Sequence, residues 1–370
     1  MSKTSRSLAT MAGTLALVPT VLLADGPKFT GFVTGSYIYD LNDPVDGFVN
    51  GAGIEPGTGY SNFYGGRNAS FKADAAHLTI TGGDSAGASY TIDLDAGTDG
   101  MATGGAMVSK TGFAFDVQQA FVSIPFGKSP LGLQAGKFYT SEGIEVGNSG
   151  ANPTLTRGLA FGVLEFTSST GAVITFKAND QISGAIGAVS NPNGQVWQYD
   201  GSDGIPVGYA KVALAYGDPF AATISAYYGP QGGFDTSGMA IRKMYTSLDL
   251  TGLNKTLVPN LDLNFQGNFM WKDKSTMGAA YTAYLLGLQP LYHMGAAQIG
   301  LRYEFLSQDQ GSSWTINSIA LAPGYKLTQN SLLRVEYRID LASEKVFGDD
   351  KGMMDTKTDQ VIGSEINYTF

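Results

Sequence analysis

The feature that most restricts this chain is a period-two alternation of apolar and polar residues held over long stretches. In Ala88–Ala96, Ala88, Tyr90, Ile92, Leu94 and Ala96 share one face, and Ser89, Thr91, Asp93 and Asp95 the other. In Leu261–Trp271, Leu261, Leu263, Phe265, Gly267, Phe269 and Trp271 oppose Asp262, Asn264, Gln266, Asn268 and Met270. Leu333, Val335, Tyr337, Ile339 and Leu341 likewise oppose Arg334, Glu336, Arg338 and Asp340, and Ala297–Phe305 puts Arg302 and Glu304 on its polar face. Alternation alone fits any half-covered antiparallel sheet. Length decides further: strands of soluble domains typically run about five or six residues. These run about nine to eleven, the length a tilted strand needs to cross a bilayer.

Long strands with an aromatic-rich apolar face and a charged opposite face predict lipid outside and a wet lumen inside. Hydrocarbon satisfies no backbone N–H or C=O group, so a sheet placed there must close on itself. Beyond residue 24 no run of about 18 apolar residues offers a membrane-crossing helix. Sixteen segments read as strands, from 28–40 to 361–370, and 14 or 18 strands also fit the pattern. Long connections such as Leu41–Ala69, Thr98–Phe115, Ser141–Thr170, Asn191–Pro206 and Gly229–Arg242 alternate with short ones such as Gly82–Gly87 and Gly127–Pro130. Residues 279–288 and 292–306 read as separate strands joined at Gln289–Leu291. The expected fold is all-β, a transmembrane antiparallel β-barrel whose even strand number puts both termini in the periplasm.

Residues 1–24 read as a secretory signal: Lys3 and Arg6 precede an uncharged apolar stretch from Leu8 to Ala24. The barrel is then 25–370. Composition excludes other classes. The 50 glycines, about twice the usual share, follow no G-X-Y period, so collagen is out. Hydrophobic residues at 43% exclude disorder, a net charge of −9 argues against nucleic acid, and zero Cys removes disulfides and thiol chemistry. Only His77 and His293 are available as histidines, without a nucleophile–base pattern, so no enzyme, metal or cofactor is expected. Ser70 and Asp74 alternate onto a face that His77 does not share. The chain ends INYTF, with Ile366, Tyr368 and Phe370 on one face. An apolar strand closed by Phe370 is the kind of end offered to outer-membrane assembly machinery.

Several segments resemble the OmpL-like β-barrel porin (porin-2) family. GFVTGSYIYDLNDP (31–44) is similar to its opening strand and acidic turn, and QQAFVSIPF (118–126) and LQAGKF (133–138) with GIE (143–145) to its central strands. NPTLTRGLAFG (152–162) resembles its Asn-Pro loop, and AYYGP (226–230), LLRVEYRID (332–340) and INYTF complete the run. The resemblance implies a pore of a Gram-negative outer membrane that passes small hydrophilic solutes or ions passively, among membrane lipids, as a homotrimer by analogy. A non-conducting surface barrel of the adhesin type is the alternative.

In general porins the third extracellular loop folds inward and narrows the channel, and Ser141–Thr170 is the third long loop here. Its Glu142, Glu145, Arg157 and Glu165, with Asn148 and Asn152, are candidates for a charged constriction; they are equally placed to tie the loop to the wall. Arg302, Glu304, Arg334, Glu336, Arg338 and Asp340 form a mixed-sign ladder on the lumen wall, fit to orient solute or to pair across strands. Asp93, Asp95 and Asp262 have few cations nearby in sequence, which suggests a mild cation preference.

Overall fold

The computed structural model describes residues 26–42, 50–51, 60–61, 70–98, 106–107, 114–139, 142–165, 168–190, 206–215, 220–234, 240–254, 258–274, 280–348 and 354–370. The expected signal, residues 1–24, lies outside them, as do most of the loops 41–69 and 191–206. Sixteen strands form the wall: Lys28–Asp40 (β1), Ser70–Gly83 (β2), Ser89–Gly97 (β3), Ala114–Pro125 (β4), Leu131–Tyr139 (β5), Ser168–Lys177 (β6), Ile182–Val189 (β7) and Val207–Ala215 (β8). Ala221–Phe234 (β9), Ala240–Thr251 (β10), Leu261–Lys272 (β11), Tyr281–Met294 (β12), Ala297–Asp309 (β13), Ser313–Lys326 (β14), Ser331–Ala342 (β15) and Thr358–Thr369 (β16) complete it. Each pairs antiparallel with its sequence neighbour, and β1 closes on β16 from Phe32↔Thr369 to Asp40↔Val361. The closed barrel has no sheet edge, the condition hydrocarbon imposes.

The two faces sort as the alternation predicts. Val33, Leu286, Val335, Tyr337, Ile366 and Tyr368 are exposed on the outside, whereas Gln266, Arg302, Glu304, Arg334 and Glu336 are buried on the inside. The short turns, such as 84–88 and 327–330, lie at the barrel end where β1 begins and β16 ends. One later loop at the other end is much shorter than expected. The β9 and β10 strands extend to Phe234 and from Ala240, leaving only 235–239 between them instead of Gly229–Arg242.

One expected turn is misplaced. The β12 strand runs through Gln289 and Pro290 to Met294, and the chain reverses at Gly295–Ala296, where Gly295 has φ 69°. A tight hairpin needs that left-handed conformation, which glycine adopts without penalty. Pro290 stays paired with Leu263 on β11, and the ladder break that its missing N–H brings is confined to the β13 side, where the pairing skips from Leu288↔Tyr303 to Leu291↔Gly300. Pro323 sits at a similar skip between β14 and β15.

Strict alternation also fails twice on the β2–β4 wall. The β1–β2 register shifts at Thr34/Gly35, leaving Asp74 unpaired, and the β3–β4 register shifts at Asp93/Leu94, leaving Gln118 unpaired. Each bulge turns an additional polar side chain inward. Asp74 and His77, expected on opposite faces, are consequently both buried inside.

Candidate pore-lining site

The β5–β6 loop lies inside the barrel and crosses it. At its neck the Gly143 N–H donates to Asp249 Oδ2 on β10 (3.1 Å), and Ile144 N–H to Gln266 Oε1 on β11 (3.4 Å). The Gln266 amide donates to Glu165 where the loop leaves for β6. A side chain at Gly147 would come within van der Waals reach of Gln118 on β4 and Tyr139 on β5. One residue later, Asn148 Oδ1 accepts from Asn367 Nδ2 on β16 (2.9 Å) and also caps the 3-10 turn Ser149–Ala151. Asn152 folds the loop onto itself, accepting from Val146 N–H (2.8 Å) and donating to Val146 O (2.9 Å).

The mixed-sign ladder meets the loop's main chain. Its acids take N–H groups: Glu336 accepts from the Leu155 and Thr156 amides and the Thr156 hydroxyl, and Glu304 from Leu159 N–H (2.6 Å) and Ala160 N–H (3.1 Å). Its arginines take carbonyls: Arg334 donates to Asn152 O (2.6 Å) and Ser149 O (2.7 Å), and Arg338 to Arg157 O (2.9 Å). Arg302 donates to Glu145 Oε1 (2.9 Å), Thr154 Oγ1 (2.7 Å) and Thr156 O. Remaining charge is matched along the wall, Arg334 on Glu365 (2.7 Å) and Arg338 bidentate on Asp340 (3.0 and 2.6 Å). An irregular segment has backbone groups with no helix or sheet partners, and here charged side chains supply them.

Apolar contacts seat the rest. Leu159, Ala160 and Leu164, in and beside a single π-turn (Ala160–Leu164), pack against inward residues including Tyr227, Tyr245, Met270 and Leu306. Leu155 packs on Ile38 and Val361 on the other side. Close approach depends on glycine at two places. A side chain at Gly300 on β13 would collide with the Pro153 carbonyl, and one at Gly158 with the Glu304 carboxylate.

Of the expected loop residues, Glu142, Glu145, Arg157 and Glu165 are all buried. Glu145 joins Arg302 to the Gly158 amide (2.7 Å), and Arg157 donates to Leu155 O (3.1 Å) and Gly147 O (2.5 Å). The half-buried residues among 142–165 are instead Gly143, Ile144, Val146, Gly147, Asn148, Gly150 and Ala151, with Gly162 and Val163 in the π-turn. Burial pushes the Glu165 carboxyl well above its ordinary range, and Asp249, Glu145 and Glu142 push the same way against the Gln266 hydrogen bond. Asp262 lies away from the loop and pairs with His293 (2.8 Å) near the Gly295 turn. Sequence reading missed Asp249, Gln266, Thr156 and Gly300; of these only Gly300, an isolated glycine in a strand, carried a local signal of close backbone approach.

A closed 16-strand barrel crossed by its third long loop is a porin architecture, and residues 26–370 match the family described as "Putative beta-barrel porin-2, OmpL-like". The chain belongs to that family. Family and fold make this porin a channel of the bacterial outer membrane rather than an enzyme. Solved structures agree in fold. An anion-selective porin from Comamonas acidovorans is 13% identical with a TM-score of 0.61, covering 93% of this chain and 99% of that one. Salmonella typhi OmpF in complex with daunomycin is 13% identical with a TM-score of 0.59, covering 93% and 97%. A trimer form of Vibrio cholerae OmpT is 11% identical with a TM-score of 0.56, covering 93% and 99%. No curated protein sequence matches the porin.

Proposed function

We propose that this porin passes small hydrophilic solutes and ions by passive diffusion, and that the loop within 141–170 is the constriction that limits their size. The observation that carries the reading is the loop's path through the lumen, fixed by Glu336, Glu304, Arg302, Arg334 and Arg338. These residues and Asp340 then act chiefly as the mount of the constriction. Glu142, Glu145, Arg157 and Glu165 work from beneath the loop's half-buried face, setting the field around it. In the same reading the barrel stands among outer-membrane lipids with both termini in the periplasm. Assembly machinery takes up its C-terminal strand at Phe370, and the protein forms a homotrimer, as one structural neighbour does.

The natural chain has no Cys, so a single introduced thiol can be addressed alone. In planar bilayers the wild type should insert in discrete conductance steps. Val146→Cys, treated with a bulky thiol reagent, should lose much of that conductance while treated wild type stays unchanged. Liposome swelling with sugars of increasing size then reads the cut-off. Repeated insertions without steps would favour a non-conducting surface barrel.

A further inference from the structure

The β2–β4 wall carries a second row of charges, built differently from the ladder. In register across the strands lie His77 (β2), Asp95 (β3) and Asp116 (β4). Phe32 on β1 stacks on the imidazole at 4.7 Å and 11°. Asp95 and Asp116 are therefore direct cross-strand neighbours of like charge, an arrangement that destabilises a sheet unless something offsets it. Asp93 lies beside them, with Oδ1 3.8 Å from His77 Nε2. The two bulges add to the same wall: Asp74 is turned inward, and Gln118 donates to Asp95 Oδ2 (3.0 Å). Gln118 is also the residue that the loop approaches at Gly147, so the row stands at the level of the crossing.

Cations are short here. Facing the four aspartates from the described residues are Lys72, Lys137 and His77, with Lys137 engaged to Asp116 at 3.2 Å. Asp74 Oδ2, Asp93 Oδ1, Asp95 Oδ1 and Asp116 Oδ2 have no hydrogen-bond partner. Nor has His77 Nδ1, which is more than nine-tenths buried and aimed at Asp95 Oδ1 3.9 Å away. No group of these residues is gathered closely enough to chelate a metal ion. The surplus negative charge in a low-dielectric wall therefore acts by its field on mobile ions.

Resting on the diffusion reading above, we propose that the row Asp93, Asp95 and Asp116, with Asp74 and His77 at its flank, selects small inorganic cations over anions. The test is reversal potential across single porins in a KCl gradient centred near 0.1 M. Wild type should favour potassium over chloride. In D95N/D116N the permeability ratio should fall about twofold or more, and D262N, remote from the row, should leave it unchanged. The preference should also fade near 1 M salt, where the Debye length shrinks from about 10 Å to about 3 Å. If the double variant fails to insert, D93N, whose amide oxygen still accepts from Gln119, carries the same comparison. Chloride preference in wild type, or a ratio unmoved by the aspartate variants, overturns the row's role while leaving a conducting porin. Absence of any channel overturns the diffusion reading, and this inference with it.

Discussion

The ladder on β13 and β15 and the wall across β2–β5 both put buried charge inside the barrel, but they balance it in opposite ways. On the first, Arg302, Arg334 and Arg338 each meet a carboxylate and at least one loop carbonyl, and Glu304 and Glu336 each take two consecutive loop amides. On the second, aspartates face one another and several of their oxygens go unmatched. Buried charge paired with opposite charge and main-chain groups fixes geometry, whereas buried charge left in surplus generates a potential. One wall is thereby suited to holding an irregular loop in place, and the other to acting on what passes.

The sharpest way to break this contrast is Arg302→Leu. That change strips Glu145 and Glu304 of their shared guanidinium in a fully buried setting. Removing one partner of a buried pair costs about 3–5 kcal/mol, enough to free the loop without opening the barrel. Single channels of the variant should show larger and noisier conductance, and protease should cut within 142–165 in detergent. Unchanged conductance would mean that the loop's seat does not depend on the ladder. Leu164→Ala tests the apolar half of the same seat. Truncating a fully buried leucine costs about 2–5 kcal/mol, so noise should rise less than in the arginine variant and on the same assay.

Most of the barrel was legible because each strand must present lipid on one side and polar groups on the other. Segments such as Leu333–Leu341 state that twice over in nine residues. The exceptions are local insertions and long-range ties. A bulge at Asp74 or Gln118 leaves the alternation intact on either side of it, so only the partner strand's register reveals the extra residue. Pro290 looked like a strand end because its missing donor is visible in sequence while the ladder skip that absorbs it is not. For the loop, Arg157 and Glu145 were visible as charges. Their partners were not: Glu145 meets Arg302, 157 residues away on β13, and Arg157 turns back onto the Leu155 and Gly147 carbonyls of the irregular loop itself.

Acidity should sharpen the contrast from the loop's neck. Glu165 sits outside the spanning strands, with its carboxyl held above the ordinary value of 4.5 by burial and by nearby Asp249, Glu145 and Glu142. A carboxyl raised in the folded state lends its full stability below the unfolded pKa and loses it as pH rises through the folded one. The share of loop packing that Glu165 supplies should be full in acid and fade progressively above about pH 4.5, seen as a component of open-channel noise that grows with pH. Glu165→Gln should flatten that dependence. A variant whose noise still climbs as steeply as wild type would place the titrating group elsewhere.

The smallest expected effect is the most telling about the second wall. Asp95→Asn removes a charge that opposes Asp116 directly and Asp93 nearby, while its amide oxygen still accepts from Gln118. Were this row a structural pairing like the ladder, the substitution would cost stability, as breaking Arg302 does. Since it relieves a like-charge cross-strand contact of about 0.2–1 kcal/mol, the temperature at which heat-modifiable migration is lost should stay level or rise slightly. A clear fall would show that His77 and Gln118 lean on the Asp95 charge to hold β2 and β4 in register, and the two walls would then differ in degree rather than in kind.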